Sequence, residues 1–191
     1  MYGHPEGRKV VFVGDLIDRG LQNFEVVRIA KSMTEAGQAI TVMGNHEFNA
    51  ICFRTRDGNG EFLRKHTSKN IEQHHAFLYE VAMQENAQAE WQAAIDWFKT
   101  LPIFIETENL RIVHACWDQK SIDILKPKLG VNNTLPEKLY VDASTKGDPI
   151  FGAIETLLKG DEKELPDGIT FVAILEVPPD FAGGSPKQPP I

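Results

Sequence analysis

Short apolar segments alternate with amphipathic helical patterns along this chain. The β-branched runs at 9–13 and 39–43 are each typical of a buried strand in a parallel sheet. Between them we expect a helix from Asn23, its N-cap, to Ala36, with Gly37 as its stop. The apolar face predicted for that helix consists of Val26, Ile29, Ala30 and Met33. This strand–helix–strand order predicts a right-handed parallel crossover.

The remaining pattern is mainly helical, with one further strand predicted at 110–113. Helical spacing predicts helices over 70–84 and 88–99. Two short helices are expected in the less distinct segments 135–145 and 149–159. The face predicted to be buried on the first of these comprises Ile71, His74, His75, Leu78, Val81 and Ala82. On the second it comprises Trp91, Ala94, Ile95 and Phe98.

Length and composition indicate one globular domain. We expect it to cover residues 1–176, including a last strand at 169–175, before a disordered Pro- and Gly-rich tail at 177–191. A net charge of -7 argues against nucleic-acid binding, and no apolar run approaches membrane-spanning length. The N-terminal residues lack the apolar core of a signal peptide, so we predict a cytoplasmic protein. Two cysteines indicate no disulfide framework, and the oligomeric state is left open.

Each predicted strand in the first 113 residues leads into a polar side chain that is able to bind a metal. These side chains are Asp15, Asn45 and His114. If the strands adjoin, a carboxylate, an amide oxygen and an imidazole meet at one edge, a set that suits Mn, Fe, Zn or Ni better than calcium. The alternative is three unrelated polar residues in loops.

Three segments together resemble a known family. GDLIDRG at 14–20, GNHE at 44–47 and VHACWD at 113–118 are similar to motifs of the calcineurin-like metallophosphoesterases. Within that family they resemble the branch of protein serine/threonine phosphatases and diadenosine tetraphosphatase-like enzymes. The resemblance implies an α/β fold, with mixed β-sheets in a sandwich flanked by helices. We expect it to be truncated and incomplete, because the family's Asp-x-His motif is absent before Lys9 and its Gly-His motif is absent after His114.

The resemblance also implies a metal centre of two divalent ions, drawn from Mn, Fe, Zn or Ni. Asp15 would bridge the two ions, and Asn45 and His114 would complete much of the second ion's shell. Without the Asp-x-His and Gly-His motifs, full occupancy by two ions is in doubt.

Catalytic roles follow from the same resemblance. Arg19 would hold phosphate oxygens, His46 would protonate the leaving oxygen, and Asp18 would orient the His46 imidazole. The implied reaction is hydrolysis of phosphate esters or anhydrides by a two-metal-bound hydroxide. Its substrate would be a phosphorylated small molecule, a dinucleoside polyphosphate or a phosphoprotein. The alternative is a non-catalytic remnant of the fold that binds phosphate or a partner.

Structural roles are also predicted for residues within and near the motifs. Glu47 is expected to be structural, and Asp118 is expected to cap the helix that follows it. The segment 54–75 is locally basic, so it either overhangs the site and attracts anions or forms a solvated helical surface. In the second case His74 and His75 pack at the edge of the core.

Overall fold

The computed structural model describes residues 4–83 and 85–160. Strand β1 (Val10–Phe12) pairs in parallel with β2 (Ala39–Thr41), and helix α1 (Asn23–Glu35) connects them. The predicted strand–helix–strand unit is therefore present. A second pair is antiparallel and consists of β3 (Phe104–Glu106) and β4 (Arg111–Val113). The sequence predicted β4 but not β3.

Helices make up most of the rest of the described chain. They are α2 (Asn45–Arg54), α3 (Ser68–Gln73), α4 (His75–Met83), α5 (Ala87–Phe98), α6 (Gln119–Leu125), α7 (Tyr140–Ser144) and α8 (Pro149–Lys159), with 3-10 turns at Val131–Asn133 and Glu137–Leu139. Within residues 4–83 and 85–160, each helix is too short or too polar to cross a bilayer. The cytoplasmic location stays a prediction.

Helix α8 contributes five buried side chains to the hydrophobic core. It packs against α6, α7 and α2 through a buried stripe at three- and four-residue spacing, formed by Ile150, Ala153, Ile154, Leu157 and Leu158. Asp148 caps its first turn by accepting a hydrogen bond from the Ile150 backbone N–H at 2.7 Å. The Leu157 carbonyl also accepts the Ala115 N–H at 3.1 Å, so α8 holds the chain that leaves β4.

The prediction of a buried first strand is wrong. Val10 and Val11 are 39% and 40% exposed, and Val13 is 48% exposed. Among the described residues β1 pairs with β2 alone, so one edge and much of its side-chain surface remain uncovered. β-branched residues favour extended backbone whether or not a second neighbour covers them.

The predicted helix over 70–84 is also interrupted. His74 ends α3, and α4 begins at His75. The break changes which side chains face inward: His74, Phe77 and Val81 are buried, whereas Ile71, His75 and Ala82 are exposed. A periodic pattern across two helices does not describe one face, because the regular helical backbone is interrupted at His74.

Other helices fit their predicted patterns more closely. The α5 face is confirmed for Ala94, Ile95 and Phe98, which are buried, and Asp118 caps α6. On α1 the buried valine is Val27 rather than Val26. The predicted strand at 169–175, the domain limit at 176 and the tail at 177–191 lie outside the described residues.

Candidate active site

Two glycine turns meet where β1 and β2 end. Gly14 has a φ of +92°, and a Cβ placed on it would lie 2.4 Å from the backbone nitrogen of Gly44. Asp15, the next residue, has a φ of +56°, which costs free energy in any residue with a side chain. The close approach therefore needs glycine, and other contacts must hold Asp15 in place.

Glu47 supplies those contacts. Its carboxylate is fully buried and accepts backbone hydrogen bonds from Asp15 at 3.0 Å, Leu16 at 2.7 Å and Gly44 at 2.9 Å. Burial raises the pKa of Glu47, against the opposing effect of these three backbone bonds. The structural role expected for Glu47 is thus a clamp that joins the two turns.

The three predicted metal ligands come together even though their strands form two separate pairs. His114 Nε2 lies 3.1 Å from Asn45 Oδ1 and 3.4 Å from Asp15 Oδ1. The other ring nitrogen of His114 donates a hydrogen bond to the Val13 carbonyl. This bond connects the end of β4 to the end of β1, which replaces the single sheet edge that the sequence suggested.

The donor set fits a divalent cation. With the His114 proton on Nδ1, the Nε2 lone pair faces two oxygen atoms that are also electron-pair donors. Asp15 Oδ1 is buried and accepts no hydrogen bond from any residue that the structure describes. Three lone-pair donors facing one another are favourable when a cation lies among them. Over residues 4–83 and 85–160, no group of three or more His, Cys, Asp or Glu is placed to hold a metal, and the third donor of this set is the Asn45 amide oxygen.

His46 and Asp18 form a hydrogen-bonded pair beside these ligands. His46 Nδ1 donates to Asp18 Oδ2 at 2.7 Å, and His46 Nε2 lies 3.8 Å from Asp15 Oδ2. Burial by itself would lower the pKa of His46, but the hydrogen bond to Asp18 and nearby carboxylates outweigh it and raise that pKa. The imidazole therefore directs Nε2 toward the cation ligands while Asp18 holds its other nitrogen.

A second histidine, which the sequence reasoning missed, binds the same carboxylate. His74 Nδ1 donates to Asp18 Oδ1 at 2.5 Å, and His74 is 4% exposed. Burial alone would raise the pKa of Asp18, yet the bonds and charges of His46 and His74 lower it overall. His74 is therefore buried in the core, as one alternative predicted, but it also makes a hydrogen bond that the sequence did not suggest. His75, expected at the edge of the core in that alternative, is exposed.

The Asp18 backbone is held by residues from α1 and α4. Asp18 has a φ of +79°, and its N–H donates to Asn23 Oδ1 at 2.7 Å. Asn23 is the first residue of α1 and not its cap, which corrects the prediction. The carboxylate of Glu80 accepts from Asn23 Nδ2 at 2.8 Å and from the Phe24 N–H at 3.1 Å, so α4 caps α1.

Arg19 lies on an open cleft that also reaches Asp15. The cleft has a volume of about 590 Å³, and its wall includes Leu16, Ile17 and Leu21. Arg19 is exposed and forms no hydrogen bond or ion pair with any described residue. Its guanidinium is free to bind an anion that approaches Asp15.

Comparison with known proteins identifies the family. The sequence profile of the calcineurin-like phosphoesterases matches residues 2–158. This chain belongs to that family. The membership confirms the predicted fold class, an α/β calcineurin-like fold.

Related proteins include two kinds of phosphatase. A symmetrical bis(5'-nucleosyl)-tetraphosphatase from Marinomonas sp. is 30% identical, over 64% of this chain and 40% of the relative. The asymmetrical tetraphosphatase PrpE of Anoxybacillus flavithermus is 33% identical, over 51% of this chain and 32% of the relative. Serine/threonine-protein phosphatase 2 of Salmonella typhimurium is 28% identical, over 78% of this chain and 64% of the relative. The chain thus spans less than half the length of the two tetraphosphatases.

Proposed function

We propose that this chain is a metal-dependent phosphoesterase that hydrolyses phosphate esters or anhydrides. The observation that carries this proposal is the convergence of Asp15, Asn45 and His114 next to the His46–Asp18 pair. Divalent ions bound there supply charge neutralisation of the phosphate and activation of a water. Membership of a family that generally binds divalent metals supports the same proposal.

The described residues provide one group of cation ligands. Asp15, Asn45 and His114 would hold one ion, which we propose is Mn, Fe, Zn or Ni because of the mixed oxygen and nitrogen donors. A second ion would share Asp15 and would need further ligands from outside this group. The number of metal ions that this chain binds should therefore be measured separately from its activity.

We propose a different catalytic role for Arg19 than for the His46–Asp18 pair. Arg19 would hold the phosphoryl oxygens, since its guanidinium is free on the cleft beside Asp15. Water would attack the phosphorus, and the bond to the leaving oxygen would break with its electron pair. His46 Nε2 would donate a proton to that oxygen, with Asp18 holding the ring by its Nδ1 hydrogen.

The substrate class is a phosphorylated small molecule, a dinucleoside polyphosphate or a phosphoprotein. The printed names of the relatives include both nucleotide tetraphosphatases and a protein phosphatase. An open cleft with an apolar wall is compatible with each of these. A comparison of diadenosine tetraphosphate with a phosphoserine peptide at equal enzyme concentration would separate them.

The test is hydrolysis of phenyl phosphate, whose leaving oxygen requires protonation, with and without Mn²⁺. We expect activity that a chelator abolishes, with a loss of about 100-fold or more in His46→Ala and in Asp15→Asn. His75→Ala and Asp96→Asn are matched controls, because both residues are exposed and away from the ligands. Equal rates in the site variants and the controls would overturn the proposal.

The alternative is phosphate or partner binding without turnover. Titration calorimetry with inorganic phosphate, in the presence of Mn²⁺, measures it directly. Phosphate binding that Arg19→Ala weakens, together with no hydrolysis at any metal concentration, would establish the alternative in place of the enzyme.

A further inference from the structure

His74 has no place in the proposed proton transfer, yet it binds the residue that holds the acid. Its Nδ1 donates to Asp18 Oδ1 at 2.5 Å, while His46 Nδ1 donates to Asp18 Oδ2 at 2.7 Å. An ionised carboxylate only accepts hydrogen bonds, so both Nδ1 atoms carry hydrogen. One carboxylate is thus fixed from both sides by two imidazoles.

Among the described residues, the His74 side chain has one hydrogen-bond partner, Asp18. Its Nε2 is buried and is hydrogen-bonded to no residue in 4–83 or 85–160. The rings of Phe53 and Phe77 lie 5.3 Å and 5.2 Å from it, both tilted. A buried ring nitrogen without a partner costs free energy that a phenylalanine or leucine at this position would avoid. The hydrogen bond from the other ring nitrogen is the one interaction of His74 that an apolar residue could not make. That bond goes to Asp18.

The position of His74 is tied to the helix that carries His46. Arg64 donates from Nη1 to Asn49 Oδ1 at 2.9 Å and from Nη2 to Gln73 Oε1 at 2.7 Å. Asn49 is on α2, and Gln73 is the residue before His74. Arg64 therefore bridges α2 and the end of α3, which limits movement of His74 relative to His46.

We propose that His74 is a positioning residue for the general acid. By holding Asp18 Oδ1, it keeps Asp18 Oδ2 directed at His46 Nδ1, and this keeps His46 Nε2 directed toward Asp15. His74 does not contact substrate. The catalytic consequence rests on the proposed function, whereas the structural coupling between His74 and His46 does not.

The catalytic test uses two esters that need the acid to different extents. Phenyl phosphate has a poor leaving group that requires protonation, and p-nitrophenyl phosphate has a good one. For His74→Leu we expect kcat on phenyl phosphate to fall about tenfold or more, a smaller fall on p-nitrophenyl phosphate, and unchanged KM. His74→Asn, whose amide can donate from the place of Nδ1, should restore most of the rate on phenyl phosphate.

The outcome that overturns the catalytic role is an equal loss on both esters with no rescue by asparagine. That result would mean that His74 only supports folding. If His74→Leu does not fold, His74→Phe fills the same space without a donor and takes its place. His75→Leu is the matched control, since His75 is the exposed neighbour in the chain.

A spectroscopic test separates this inference from the proposed function. In ¹⁵N-labelled protein, the ring nitrogen resonances of His46 should shift in His74→Leu and return toward the wild-type positions in His74→Asn. His75→Leu should leave them unchanged. Unmoved His46 resonances in His74→Leu would overturn the coupling, whereas a shift in a protein that hydrolyses neither ester would overturn only the proposed function.

Discussion

Glu47 accepts the backbone N–H of Asp15 at 3.0 Å across 32 positions of sequence. The same carboxylate binds Leu16 and Gly44, so a side chain on α2 holds the turn that follows β1. Asp15 can keep a left-handed backbone because its N–H has this partner. The proposed metal ligands on the two turns are therefore placed by Glu47, a residue that is not itself a proposed ligand.

Glu47→Gln should destabilise the fold. Glutamine offers one acceptor oxygen and turns an N–H₂ group toward backbone donors, so at least one buried N–H loses its partner. We expect the free energy of unfolding to fall by about 1–3 kcal/mol, measured by urea denaturation. Glu72→Gln, at an exposed position of α3, should leave the midpoint unchanged. Equal midpoints for the two variants would contradict the clamp.

Gly14→Ala should be among the most damaging substitutions in the described chain. Its Cβ would lie 2.4 Å from a backbone nitrogen, and the φ of +92° is strained for alanine. We expect a loss of about 3 kcal/mol or more in the free energy of unfolding, or no folded protein. Gly20→Ala is the control in the same loop, because a Cβ there meets no atom of a described residue within 4 Å. A stable Gly14→Ala protein would show that the two turns do not pack this closely.

Arg19→Ala should change binding without changing stability. The side chain is exposed and has no partner among the described residues, so the urea midpoint should stay within about 0.5 kcal/mol of wild type. Phosphate binding in the presence of Mn²⁺ should weaken about 10- to 100-fold, which is the effect of losing hydrogen bonds to a charged group. Arg19→Lys keeps the positive charge but lacks the planar guanidinium, so its phosphate affinity should lie between those of wild type and Arg19→Ala. Unchanged phosphate affinity in Arg19→Ala would remove Arg19 from the site.

The contribution of Asp118 to the stability of the fold should decrease at low pH. The hydroxyl and backbone N–H of Ser121 both donate to its carboxylate, at 2.7 Å and 2.8 Å, and these bonds lower the pKa of Asp118 below its ordinary value of 3.8. The unfolded chain takes up the proton first as pH falls. The stabilisation is therefore complete above that ordinary value and disappears as pH falls through the lower, folded pKa.

Urea denaturation of wild type and Asp118→Ala from pH 7 to pH 3 measures this effect. The difference in the free energy of unfolding between wild type and Asp118→Ala should be constant near neutral pH and should become smaller in the most acidic samples. Asp118→Asn keeps a capping side chain without a titrating charge, so its stability relative to Asp118→Ala should not narrow in this way. A difference that widened toward low pH would contradict the direction of the shift.

Local patterns allowed some elements to be predicted and not others. The short helix expected over 149–159 is present as α8, and its first turn is capped locally by Asp148. Strand β3 was not predicted, although it has the same length as the strands that were, and it pairs with β4 across a short turn. The break at His74 was missed because the apolar spacing continues through it.

The sequence by itself determined the family and the order of the chemical groups along the chain. Asp15, Asn45 and His114 each follow a predicted strand, and the motifs around them identify calcineurin-like phosphoesterases. These features are local, because a motif or an N-cap depends on residues a few positions apart.

Only the tertiary structure decided which of these groups share partners. His74 meets Asp18 across 56 positions, and His114 reaches the Val13 carbonyl across 101. Such contacts depend on how helices and strands pack, and helical or strand periodicity contains no information about a partner so distant in sequence. For this reason the pattern placed His74 on an apolar face, whereas the fold places it on the carboxylate that orients His46.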